Sequence, residues 1–123
     1  MIRYFFSCAV CLAHFGALAI SGNQALELMT GNERKDLLLT TYVAALFDQE
    51  IVVRMNAKAI VQKGGDVPVW PFCPPPTASA QQGASVLSNA LRNDPANNHE
   101  SLLLIARRAF SNVWECTPAQ VLK

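Results

Sequence analysis

The stretch ERKDLLLTTYVAALFDQEIVVRMNAKAIVQK, Glu33–Lys63, contains neither proline nor glycine, and its reading decides the fold. Leu39, Tyr42, Val43, Leu46, Val53, Ala57 and Ile60 recur at three- and four-residue spacing, the period of one apolar face on an α-helix. The segment therefore reads as one long amphipathic helix. Thr30 or Asn32 is placed to cap its start. Lys58 and Lys63 lie near its end, where cations suit the helix dipole, and Gly64-Gly65 stops it. Gln49 and Glu50 interrupt the stripe, leaving room for a kink or a change of face near Asp48.

Downstream of the glycines runs DVPVWPFCPPP, Asp66–Pro76, which holds Pro68, Pro71 and Pro74 to Pro76. Proline fixes φ and has no N–H to donate, so this segment is expected to be extended and stiff, and the same residues lower the entropy that ordering it costs. A helix follows, starting near Thr77 or Ser79, with Ser79 and Gln82 at capping-box spacing. Ala80, Ala84, Val86, Leu87, Ala90 and Leu91 form its inner face, and Asn93-Asp94-Pro95 ends it. A last helix is expected from Asn97 or Asn98, with Glu100 in its first turn. Its buried side would be Leu102, Leu103, Ile105, Ala106, Ala109, Phe110, Val113 and Trp114, with Cys116 at its exit. The fold class is thus all-α, a small bundle of about four helices.

Upstream, the chain opens with Arg3 and then the apolar run FFSCAVCLAHFGALAI, Phe5–Ile20, closing on the small-residue site Ala17-Leu18-Ala19. A short charged start, an apolar centre and an A-x-A site make up the layout of a secretory signal peptide, cut after Ala19. A membrane span needs about 20 apolar residues, and this run is shorter and broken by His14. Lipid attachment at Cys8 or Cys11 fits less well, because neither follows a Leu-small-small pattern. Residues 1–19 are then a leader and 20–123 a single helical domain, with no further membrane segment expected.

Loss of the leader takes Cys8, Cys11 and Arg3 with it. Of four cysteines, Cys73 and Cys116 remain, and ten Lys and Arg against nine Asp and Glu become nine of each. A chain so balanced, without a dense basic stripe, offers little to nucleic acid or to an anionic membrane. In an oxidising compartment two isolated cysteines read as a disulfide. Joining Cys73 to Cys116 ties the entrance of the helix after the prolines to the exit of the last one. The prolines would hold the arm so that the sulfurs can meet, since the Cα atoms of a bridge lie only about 4.4 to 6.8 Å apart. Zinc usually takes three or four ligands, and His99 is the sole histidine left beside these thiols, so no metal or cofactor is expected. His99 and Asp48 read as solvent-facing or hydrogen-bonding groups, not as a general base or acid, and no enzyme activity is expected.

The order of several elements resembles the Tai/Rap immunity proteins, which protect bacteria from peptidoglycan amidase effectors of type VI secretion. Tyr42-Val43-Ala44-Ala45-Leu46-Phe47-Asp48 is similar to that family's G-Y-[IV]-x-G-x-x-D segment. Phe72-Cys73-Pro74-Pro75, Thr77 at a helix start, Leu91, Asp94-Pro95, Ala106, Ala109-Phe110 and Trp114-Glu115-Cys116 resemble its F-C-x-P, helix, L-x-x-x-P, helix, F-P-C layout. The likeness runs from about Leu37 to Cys116. It departs from the family at Thr41 and Ala45, where glycine is favoured, at Leu39, where many relatives carry another cysteine, and at Glu115, which replaces a proline.

The resemblance implies a periplasmic homodimer that binds an incoming amidase and covers its active-site groove. The contact is expected at the loop of Gly64, Gly65, Asp66, Val67, Val69 and Trp70, with the face near Arg107 and Arg108 as the second choice. Trp70 reads equally as a recognition anchor or as a lid on the core. A periplasmic acid-stress chaperone of similar size is the alternative, although the chain lacks the lysine-rich surface such a protein uses to stay soluble in acid.

Overall fold

The computed structural model describes residues 19–30 and 34–122. The expected leader, apart from Ala19, and the proposed cap Asn32 lie outside the described residues. Five helices follow in order: α1 (Gly22–Thr30), α2 (Lys35–Gln62), α3 (Ala80–Asn93), α4 (Leu102–Val113) and α5 (Pro118–Leu122), with a single 3-10 turn at Pro95–Asn97 before α4. The all-α reading holds.

The long helix forms as its composition requires. α2 has 28 residues, about 42 Å at 1.5 Å per residue. It runs through Asp48 as one helix, and its buried positions Leu39, Val43, Leu46 and Glu50 follow four-, three- and four-residue steps, with Ala57 seven residues further on the same face. Glu50 therefore does not interrupt the stripe; it lies within it. Thr30 ends α1, where its hydroxyl donates to the Glu27 carbonyl at 3.0 Å, and the cap position of α2 is Arg34. At the other end Gly64, at φ 72°, donates its N–H to the Val61 carbonyl, while Gly65 donates to Ile60. This pair of bonds closes the last turn, and it needs a residue that tolerates left-handed backbone at Gly64.

α3 begins where its capping signal lies. The Ser79 hydroxyl accepts the Gln82 N–H at 3.1 Å, and the Gln82 side chain accepts the Ser79 N–H at 2.9 Å. It lies against α2 at Gly83, where a Cβ would come within 2.5 Å of Val43 Cγ1 and 3.0 Å of Phe47 Cζ. Glycine is required there by the closeness of the two helices.

α4 starts later than expected, at a Ser101 cap whose hydroxyl accepts the Leu104 N–H. Asn98 is used for something else: its buried amide donates to the Leu91 carbonyl at 2.7 Å, and its own carbonyl accepts the Asn23 N–H at 2.8 Å. It joins the end of α3 to the start of α1, and Glu100 falls outside α4. Leu102, Ile105, Ala106 and Phe110 are buried as anticipated, whereas Leu103 and Val113 are exposed. Leu103 lies one residue past the first buried position, and Val113 is the last residue of α4.

The main core gathers residues of α1 to α4 together with Phe72 from the proline loop. The buried Phe72 and Phe110, with the partly buried Phe47 and Trp114 packed against them, form a cluster with ring centroids 5.1 to 6.1 Å apart. Tilted and edge-on geometries of this kind suit the ring quadrupoles. A second, smaller cluster joins Ala57 of α2, Val121 of α5, Cys73 and Cys116, with Val67 packed against it.

Candidate functional site

The proline loop leaves α2 at Gly64 and re-enters the core at Pro71 and Phe72, both fully buried. Between these points the chain is on the surface: Gly64, Gly65, Asp66, Val69 and Trp70 are exposed and Val67 is half-buried. Trp70 is 43% and Val69 50% exposed. Of the two readings of Trp70, the lid on the core is set aside; Phe72 takes that place two residues later.

Three devices hold the loop's inner end. The Cys73–Cys116 bridge forms as expected, with Cα atoms 4.9 Å apart. Beside it Phe72 and Glu115 make an isolated antiparallel bridge, and the Cys73 N–H donates to the Trp114 carbonyl at 2.7 Å. The covalent link thus sits beside a single backbone pairing of the two segments and does not stand alone.

The third device was not anticipated from the sequence. Glu50 is a carboxylate with 1% of its surface exposed, a placement that is costly unless each oxygen finds a partner. Its Oε1 accepts the Phe72 N–H at 2.8 Å. Arg107 of α4 donates Nη1 to Oε2 at 2.9 Å and Nη2 to Oε1 at 3.4 Å. The same guanidinium, whose side chain is 13% exposed, donates to the Trp70 carbonyl at 3.3 Å and sits 5.4 Å from the centroid of the Phe72 ring. A planar fork with several donors can serve these partners at once. Helix α2, helix α4 and the loop are joined at this point.

The twin arginines therefore part company. Arg107 turns inward to Glu50, while Arg108 turns outward and pairs with Glu100, so the adjacent pair does not present one basic face. Asp48 is exposed on the outer side of α2, and His99 is exposed in the turn before α4, its Nδ1 2.9 Å from the Ala96 carbonyl. Among the described residues no group of three or more His, Cys, Asp or Glu side chains is placed to hold a metal ion, and no helix is long and apolar enough to cross a membrane.

A second feature lies at the α1 end. Ile20, Leu28, Leu38, Tyr42 and Leu102 border an apolar cleft of about 240 Å³. Burial pushes the Tyr42 hydroxyl above its ordinary pKa of 10.0, because the phenolate would lose hydration there. No protein-family model, no curated protein and no solved structure matches this chain.

Proposed function

We propose that this chain is an exported immunity protein that binds a peptidoglycan amidase of the type VI secretion class and blocks its substrate groove by occupying it. The observation that carries the reading is the loop Gly64–Trp70: two large apolar side chains, Val69 and Trp70, stand in solvent on a backbone braced at its base by a disulfide and a buried ion pair. A braced aromatic loses little conformational freedom on binding, and tryptophan is over-represented among residues that dominate binding energy. Inhibition by occlusion needs no nucleophile, base or metal on the inhibitor. The order of motifs from Leu37 to Cys116 supports the same family of partner. The site of action is the periplasm, with the working form a homodimer.

The test is to direct the product of the neighbouring gene to the periplasm and to follow lysis with and without this protein. Co-expression is expected to rescue the cells, and the purified pair to form a stoichiometric complex. Trp70→Ala is expected to weaken that complex by about 2 kcal/mol or more, roughly 30-fold in Kd by titration calorimetry. Absence of rescue from any neighbouring hydrolase removes the proposal. Suppression of aggregation of many unrelated proteins, at acid pH only, would replace it with the chaperone reading.

A further inference from the structure

We propose that Arg107 and Glu50 are the positioning residues of the Val69–Trp70 tip, setting how it is presented independently of the disulfide; this deepens, and rests on, the reading of the loop as the contact surface. The two side chains grip the peptide groups on either side of Pro71. Arg107 donates to the Trp70 carbonyl before that proline, and Glu50 accepts the Phe72 N–H after it. Pro71 itself is fully buried. The direction in which Trp70 leaves the body of the protein is thereby set by two hydrogen bonds across one rigid ring.

Other restraints act elsewhere. The disulfide and the adjoining Phe72–Glu115 pairing hold Phe72 and Cys73, downstream of the turn that aims Trp70. The glycine pair fixes only the exit from α2. Among the described residues no backbone–backbone hydrogen bond outside the helices involves residues 66–70. The bond from Arg107 therefore reaches the tip where the main chain does not hold itself. Lysine keeps the charge beside Glu50, but its single ammonium cannot reproduce the fork that serves Glu50 and the Trp70 carbonyl together.

The experiment uses the oxidised protein and reads the loop directly, with no partner present, so that its failure is distinct from failure of the immunity reading. Arg107→Lys is compared with the double variant Glu50→Gln with Arg107→Met, which leaves no buried charge without its mate. Circular dichroism and urea titration establish that each is folded. In a Trp114→Phe background, where Trp70 is the sole indole, iodide quenching of its fluorescence is expected to rise about twofold in both variants. Hydrogen exchange at the Phe72 amide, measured without the Trp114 change, is expected to quicken about tenfold in the double variant. Restoring Arg107 while keeping Glu50→Gln should return the quenching towards the wild-type value. If the folded variants leave both Trp70 quenching and Phe72 exchange unchanged, the pair does not position the tip. If reducing the disulfide in the otherwise wild-type protein loosens Trp70 as much as Arg107→Lys does, the bridge is the positioning element and the proposal is overturned.

Discussion

A carboxylate at the centre of an apolar stripe lets two costs be told apart. Glu50→Ala leaves Arg107 charged and without its main partner, and is expected to destabilise the fold by about 3 to 5 kcal/mol in urea titration. The double Glu50→Gln with Arg107→Met removes the charge from both sides and is expected to cost well under that. Gly83→Ala tests a different contact. Alanine favours helix over glycine by about 1 kcal/mol, yet a Cβ would fall 2.5 Å from Val43 Cγ1. Forced displacement in a packed core costs about 1 to 3 kcal/mol, so a net loss of stability is expected by the same titration. Tyr42 supplies a pH dependence. Its folded pKa lies above the ordinary 10.0, so the folded state keeps a proton that the unfolded chain releases. That contribution is complete below pH 10 and declines as pH rises through the folded value. Tyr42→Phe is expected to flatten the loss of stability above pH 10 relative to wild type. Of these residues only Tyr42 was legible as part of the inward apolar face, where it packs half-buried against the core. Glu50 looked like an interruption because its partner lies 57 positions away, and Arg107 looked like Arg108 because adjacency along a chain says nothing about which of two arginines turns inward.

Helices with local signals were legible, and those whose ends are set by distant contacts were not. Ser79 and Gln82 carry a capping box that any backbone can use, and α3 starts there. Ser79→Ala is expected to cost about 1 kcal/mol of stability, measured by thermal or urea unfolding. The start of α4 was misplaced because Asn97 and Asn98 have good capping chemistry, but the folded chain uses Asn98 to close α3 and anchor α1. Ser101 takes the cap in its stead, and Glu100 falls before the helix instead of in its first turn. α1 and α5 escaped notice for another reason. With 9 and 5 residues they are too short to show a periodicity, and they form on surfaces that α2 and α4 provide. The glycine stop of α2 was readable because its requirement is local: one residue with positive φ, held by two bonds back to its own last turn.

At the scale of the molecule the bridge joins cysteines 43 positions apart, and restricting the unfolded chain over that span is worth about 4 kcal/mol. Cys73→Ser with Cys116→Ser is expected to lower the unfolding free energy by a comparable amount, and adding reductant to the wild type should reproduce the shift. The pairing was legible because the expected loss of residues 1–19 would leave Cys73 and Cys116 as the remaining cysteines. How the surface is used was less so: the exposed tip at Trp70 depends on burial of Pro71 and Phe72 two residues away, and that is decided by the whole core. The same bridge turns residues 73 to 116 into a closed covalent ring that contains α3, α4 and the exposed turn between them. A protease that severs this ring once, at Asp94 or His99 for instance, produces no separate fragments. The nicked molecule gains the mass of one water, migrates as a single species without reductant and splits in two with it, so damage at that turn leaves Trp70 still tethered to α4 and α5.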